Sequence, residues 1–308
     1  MAFDYDNGRD TLNSTLNERD LTSYVTNISP KESPLYSLLG RTTAVARQKE
    51  SITDVLQAAN KDNALIEGGL LTTVSTSADR GTESNWLQIF SKTIEVSGTQ
   101  EAVMKYGGIT SELAYQIELR YTELATDIED ALINGTGATG TTAAGRKMYG
   151  LLAKITTNTA TAASANAQWT GTATADLFNF EELLITMLQQ GFTTGISFDT
   201  ILVGGTAKRR ISRLSTKLTM NIDAVEKKSV MVISTYESDF GEVSIILDRY
   251  VPSTTIIGLK LQMFKVAYLR PFAQEALAKV SDSKLVNVLG ELTLAFDTQK
   301  AASKLVFQ

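Results

Sequence analysis

The chain has no cysteine and no histidine in 308 residues. Those two absences remove more chemistry than any motif in it supplies. Without cysteine there is no disulfide framework, no thiolate metal site and no thiol nucleophile. Without histidine the commonest general base and the commonest zinc ligand are missing. Catalysis would have to rest on carboxylates, lysine, tyrosine or hydroxyls, as in glycosidases and Schiff-base enzymes. Long apolar runs are also lacking. No stretch approaches the 18 or so residues that read as a membrane span, and the first ten residues, MAFDYDNGRD, have neither a basic nor an apolar segment. The expectation is an unexported protein with no membrane contact. Positive charge is in short supply too: 29 Lys and Arg stand against 34 Asp and Glu, a net charge of −5. Such a chain has no global attraction to nucleic acid or to an anionic membrane.

What is present is ordinary for a folded protein: 43% hydrophobic and 20% charged residues. A chain of this length buries roughly three quarters of the surface its unfolded form exposes. Residues 1–33 are polar, so a packed first element is not expected before Pro34, and an N-terminal arm is the natural reading. From Gly40 to about Asn85, small and charged residues dominate. A structureless loop of that length is uncommon, so the segment either forms its own β-hairpin or lies against a neighbouring subunit.

A long half-buried strand is expected from Trp86 to Ser97, where Trp86, Phe90, Ile94 and Val96 share one parity. After the glycines Gly107 and Gly108, a helix capped at Thr110 or Ser111 carries the stripe Leu113, Ile117, Tyr121, Leu124, Ile128 and Leu132. Asn134 and Gly135 supply its stop signal. Asn179 and Glu182 form a capping box that predicts a second helix ending at Gly191. Thr200–Val203 reads as a short buried strand, followed by a basic helix. Segments 230–233 and 243–247 flank a turn at Asp239–Gly241, and strands are expected over 259–269 and 286–296. The fold class is mixed α+β.

Each motif has a bland reading beside the chemical one. Residues 135–140 spell the G-x-G-x-x-G of a dinucleotide turn, but they follow a helix rather than a strand, which is the wrong context. No cofactor is expected. Glu118, Glu123, Asp127, Glu129 and Asp130 read as a solvated acidic face of the long helix. Lys208, Arg209, Arg210, Arg213 and Lys217 form either a solvated basic face or an ion-paired subunit contact. The acidity of the chain disfavours a DNA-binding role for them. Trp86 and Phe90 are either core residues or anchors in a neighbour.

Taken in order, ESPLYSLLG (32–40), IFSKTIEVSGTQ (89–100), ELAYQ to DIED (112–130), ILVG with KRRIS (201–212), YESDFG (236–241) and KVAYLRP (265–271) resemble the major capsid (head) proteins of tailed bacteriophages. The resemblance runs from about residue 30 to residue 296. It implies the tailed-phage capsid fold: an N-terminal arm over residues 1–40, an extended E-loop hairpin over 41–100, and a peripheral domain with a long spine helix over 101–149. An axial domain would follow over 150–250, and 251–308 would return as strands to the peripheral domain. The implied partners are copies of the chain itself in hexamers and pentamers, with scaffolding, portal and decoration proteins, and packaged DNA only by proximity. The implied location is the virion, after assembly in the cytoplasm of a bacterial host. Trp86, Phe90, Lys208, Arg209, Arg210 and Arg213 are then candidate inter-subunit contacts, with no catalytic, cofactor or metal site. Two alternatives stay open: an encapsulin-like compartment of the same fold, and a carboxylate-dependent hydrolase, which would need two carboxyls about 5 to 10 Å apart in a concave site.

Overall fold

The computed structural model describes residues 32–54, 80–103, 111–162, 174–218, 235–279 and 281–307, with a few isolated positions between 59 and 68. The expected arm before Glu32, the glycines Gly107 and Gly108, the cap at Thr110, the strand over 230–233 and the side chain of Lys217 lie outside the described residues.

The chain divides into two compact units. One takes its described residues from Lys92–Glu123 and Gln274–Val288; the other from Glu32–Ser91, Leu124–Ala273 and Leu289–Gln308. The larger unit is built on a six-stranded sheet. Its strands are β7 (Thr159–Ala162), β8 (Thr200–Val203), β9 (Thr235–Ser238), β10 (Gly241–Leu247), β11 (Thr255–Leu259) and β14 (Ala302–Phe307), in the order β7-β14-β11-β8-β10-β9. β8 lies between a parallel β10 and an antiparallel β11. All four of its residues are buried, as its continuous apolar run predicts. β14 pairs antiparallel with β11 and parallel with β7, so the last strand of the chain joins this sheet.

Helix α5 (Thr174–Thr194) supplies Phe180, Leu184, Met187 and Leu188 to the core of that sheet, where they meet Ile201, Val203, Ile245, Ile256 and Leu305. The Phe180 and Phe307 rings stack at 5.8 Å between centroids. This helix corrects two expectations. It starts at Thr174, ahead of the box at Asn179, and it runs past Gly191 to Thr194. Gly191 is glycine because a Cβ there would lie 2.7 Å from the Ile196 carbonyl oxygen and from the Phe198 ring. Gly195, at φ +80°, ends the helix. Helix α6 (Gly205–Leu218) follows β8 as expected and buries Ala207, Arg210 and Ile211.

A four-stranded sheet has the order β1-β12-β13-β4, from β1 (Gly40–Thr43), β4 (Gln88–Ser97), β12 (Phe264–Ala276) and β13 (Ser283–Phe296). The expected strand over 259–269 is broken by a 3-10 turn at Leu261–Met263, and β12 continues through Pro271. In β13, Val288, Leu292, Leu294 and Phe296 are buried and Val286 is half-buried, but the expected alternation is lost from Gly290 on. Its second half is buried on both faces, where Thr293 donates its hydroxyl to the Trp86 carbonyl at 2.8 Å.

The 86–97 strand is also interrupted. β3 (Arg80–Trp86) pairs antiparallel with β2 (Gln48–Asp54), from Gln48 opposite Trp86 to Asp54 opposite Arg80. β4 starts only at Gln88. Leu87, between them, is fully buried and donates its N–H to the Arg47 carbonyl. The break lets one chain serve two sheets.

The long helix α3 (Glu112–Asn134), whose residues up to Glu123 belong to the smaller unit, begins on a cap made by a distant side chain. Ser111 accepts the Ala114 N–H, and the Glu101 carboxylate, from helix α2 (Gly98–Ala102), accepts the Ser111 hydroxyl at 2.7 Å and the Glu112 N–H at 3.0 Å. A carboxylate at a helix N-terminus also favours the macrodipole. At 23 residues, α3 is about 35 Å long. After it, β5 (Thr136–Ala138) and β6 (Lys147–Tyr149) form a hairpin. The G-x-G-x-x-G run is therefore the start of a hairpin. Gly135 and Gly150 touch there, the Gly150 N–H meeting the Gly135 carbonyl at 2.8 Å, and a Cβ on either would strike backbone.

Candidate assembly surfaces

The β2–β3 ribbon exposes more than it buries. β2, with the sequence QKESITD, has no buried residue, and in β3 only Asn85 is buried. Ile52 is 68% exposed, and Val45, just before the ribbon, is 95% exposed. The ion pair across the ribbon, Arg80 to Asp54 at 3.2 Å, is exposed at both ends and contributes little. The ribbon's root is firmly held. The Asn85 side chain donates to the Tyr149 and Leu294 carbonyls and accepts the Tyr149 N–H, at 2.8–3.0 Å. Trp86 is half-buried, with the Arg47 guanidinium 5.9 Å from its ring centroid.

The six candidate contact residues are not gathered in one place. Phe90 is a core residue of β4, 6% exposed. Arg210 is buried as well, its guanidinium 5.7 Å from the Phe180 ring centroid. Lys208 is half-buried, and burial holds its ammonium below the usual lysine range. Arg209 and Arg213 are exposed, one turn apart on α6. The residues that can reach a neighbour in this conformation are thus Trp86, Lys208, Arg209 and Arg213.

Glu129 corrects the reading of α3 as carrying a wholly solvated acidic face. Its side chain is fully buried and accepts the N–H of Leu35 and of Tyr36, both at 2.7 Å, from the start of the short helix α1 (Pro34–Leu38). Asp248, 1% exposed, stands beside it; one of its oxygens accepts the Tyr250 N–H at 2.9 Å and the other is buried with no hydrogen-bond partner. Burial first, and then the Asp248 carboxyl, push Glu129 up to about 8 against the opposing pull of the two N–H groups. Glu129 therefore keeps its proton near neutral pH while it clasps α1 to α3. Both carboxyls are buried, so neither lines an open concave site in this conformation. Nothing in the sequence pattern marks Glu129 apart from its helical neighbours. The only signal is its position between Ile128 and Leu132.

Glu291 is a second buried carboxylate that periodicity did not single out. It accepts the Arg146 guanidinium at 2.6 Å and that of Arg270 at 3.1 Å, which ties the loop after the β5–β6 hairpin's first strand to β12 and β13. Among the described residues no cluster of acidic side chains could hold a metal ion, and no helix is long and apolar enough to cross a membrane.

The chain matches the family described as SU10 major capsid protein over residues 7–306. It is 28% identical over 123 residues to the major capsid protein of Escherichia phage Phieco32, a match spanning 38% of this chain and 33% of that relative. Among solved structures, the capsid of cyanophage A-1(L) superposes with a TM-score of 0.69 at 13% identity, covering 97% of this chain and 99% of that one. The capsid of the native GTA particle gives 0.64 at 9%, over 97% and 99%. The SrpI encapsulin of Synechococcus elongatus gives 0.59 at 16%, over 97% and 95%. At these identities the likeness is one of fold, and the α+β fold described above is that of tailed-phage capsid structures.

Proposed function

Since the chain belongs to the SU10 major capsid protein family, we propose that it acts as the shell subunit of a phage head, assembling through hexamers and pentamers into an icosahedral container for double-stranded DNA. Each subunit lays its N-terminal arm and the β2–β3 ribbon, as E-loop, over its neighbours. α3 serves as the spine helix, and the six-stranded sheet with α5 and α6 forms the axial domain. Many modest contacts add up to a closed shell because each further contact is made at high effective concentration.

The observation that carries this reading is the ribbon. A two-stranded hairpin is at best marginally stable alone in water. This one carries exposed Ile52, yet Asn85 anchors its root rigidly. An arm held at its base and largely exposed along its described strands is suited to a neighbour's surface. The net charge of −5 suits a wall that must enclose DNA without trapping it. Scaffolding, portal and decoration proteins are the further partners, and the shell assembles in the host cytoplasm before it becomes the virion. The family is a structural one. An encapsulin shares the fold, but the family match favours the head shell.

Deleting residues 45–85 tests the reading. Subunits should remain soluble and folded by circular dichroism, while negative-stain electron microscopy shows no shells. Normal shells from the truncated chain overturn it.

A further inference from the structure

The β9–β10 hairpin forms one edge of the six-stranded sheet among the described residues, and its charges are badly matched. Glu237 and Glu242 stand directly opposite each other in the antiparallel register, and Asp239 follows in the turn; all three are exposed. Like charges directly opposite on a ladder destabilise it. Among the described residues none of the three makes an ion pair. Acidic side chains on an edge also discourage another sheet edge from pairing with it. What the hairpin lacks is therefore a set of cations rather than another strand. Beside these acids, at the hairpin tip, Phe240 packs on Phe192 of α5 with centroids 5.7 Å apart, and Phe192 is 69% exposed. An apolar anchor with a charged rim is the usual anatomy of a protein contact.

The same unit carries the complement. Arg209 and Arg213, one turn apart on α6, are exposed and make no ion pair among the described residues, while Ala207, Arg210 and Ile211 face inward. The two surfaces do not pair with each other within the chain. A two-fold contact through either surface would set like against like, arginines against arginines or glutamates against glutamates. Opposite charges meet only when α6 of one copy faces the hairpin of another, and of the arrangements that do this the head-to-tail one can close into the five- and six-membered rings of the capsid reading.

We propose that the exposed arginine stripe of α6 in one subunit docks on the acidic β9–β10 hairpin of a second copy, as the head-to-tail contact that closes the ring of subunits. The contact rests on the capsid reading and specifies which surfaces of the sheet region meet.

Charge reversal in the full-length chain tests it, under conditions where the wild type assembles. Arg209→Glu with Arg213→Glu, and separately Glu237→Lys with Glu242→Lys, should each lower the yield of rings and shells at least about tenfold by sedimentation and electron microscopy. The subunit's melting temperature should not fall. Combining all four substitutions should restore assembly. Where a reversed variant fails to fold, Arg209→Gln with Arg213→Gln and Glu237→Gln with Glu242→Gln should weaken assembly in the same direction. Undiminished assembly of the reversed variants overturns the contact, and so does loss in both without recovery in the combination. A wild type that retains duplex DNA through α6, with Arg209→Glu/Arg213→Glu losing DNA yet forming normal shells, also overturns it. Failure of the wild type to assemble at all removes the capsid reading itself, which separates the two failures.

Discussion

β8 and β2 are both short strands in the larger unit, and they meet opposite fates. Every residue of β8 is buried, and none of β2 is. β8 has a strand on each side and α5 packed over its sheet, so the sequence TILV can be apolar throughout. β2 has one partner strand and the sequence QKESITD. Its backbone is paired, but none of its residues is buried among the described residues. Hydrogen-bonded pairing alone does not make a stable sheet, since the net contribution of each bond is small while burial supplies the larger part. β8 is buried within its own subunit, whereas the described strands of the ribbon are mostly exposed.

The comparison can be broken most sharply at its buried end. Ile201→Ala in β8 removes a fully buried side chain from the main core and should cost about 2 to 5 kcal/mol in chemical denaturation of the subunit. A loss below about 1 kcal/mol would show that the six-stranded sheet is not the stable element.

Next in size is the clasp that holds α1 ahead of the ribbon. Glu129 titrates at about 8 in the fold against 4.5 when free, so the folded state binds more protons than the unfolded chain between those values. The contribution is fully present below about pH 4.5 and is lost as pH rises toward 8, by an amount on the order of a few kcal/mol. Asp248→Asn supplies a neutral amide that can donate to Glu129. It should flatten this fall, measured as the difference between variant and wild-type stabilities from pH 5 to 8. An unchanged slope would mean that Asp248 has no part in raising Glu129.

A smaller loss is expected at Glu291, because its arginine partners are partly exposed and solvent screens them. Glu291→Gln should cost about 1 to 3 kcal/mol and loosen residues 139–146, visible as faster amide exchange there. The smallest effect belongs to the ribbon itself. Ile52→Ala should change subunit stability by no more than about 0.5 kcal/mol, yet lower shell yield. Equal losses in the two measurements would mean the ribbon is covered by its own subunit.

Elements whose neighbours follow closely in sequence were readable in advance. The buried run of β8, the basic helix after it and the turn at Asp239 to Gly241 sit where periodicity and turn chemistry put them. The α3 stripe was also legible, but its two halves differ: Leu113, Ile117 and Tyr121 are only half-buried, while Leu124, Ile128 and Leu132 are buried. Periodicity marks a side that seeks cover without saying how much cover it finds. Of the candidate contacts, Phe90 and Arg210 looked no different in sequence from Trp86 and Arg209, because exposure depends on what packs across from a position.

Composition alone thus determined that this chain has neither thiol nor imidazole chemistry to use. Spacing determined a mixed α+β protein with one long helix and an excursion before Trp86 in which small and charged residues dominate. Tertiary structure alone decided that the strand entering β4 breaks at Leu87, that β14 completes the six-stranded sheet, and that Glu129 is buried. The reason is range. Helix and strand periods are written within a few residues, but the N–H groups that meet Glu129 come from Leu35 and Tyr36, 94 and 93 residues away. Only the folded chain brings such distant groups together.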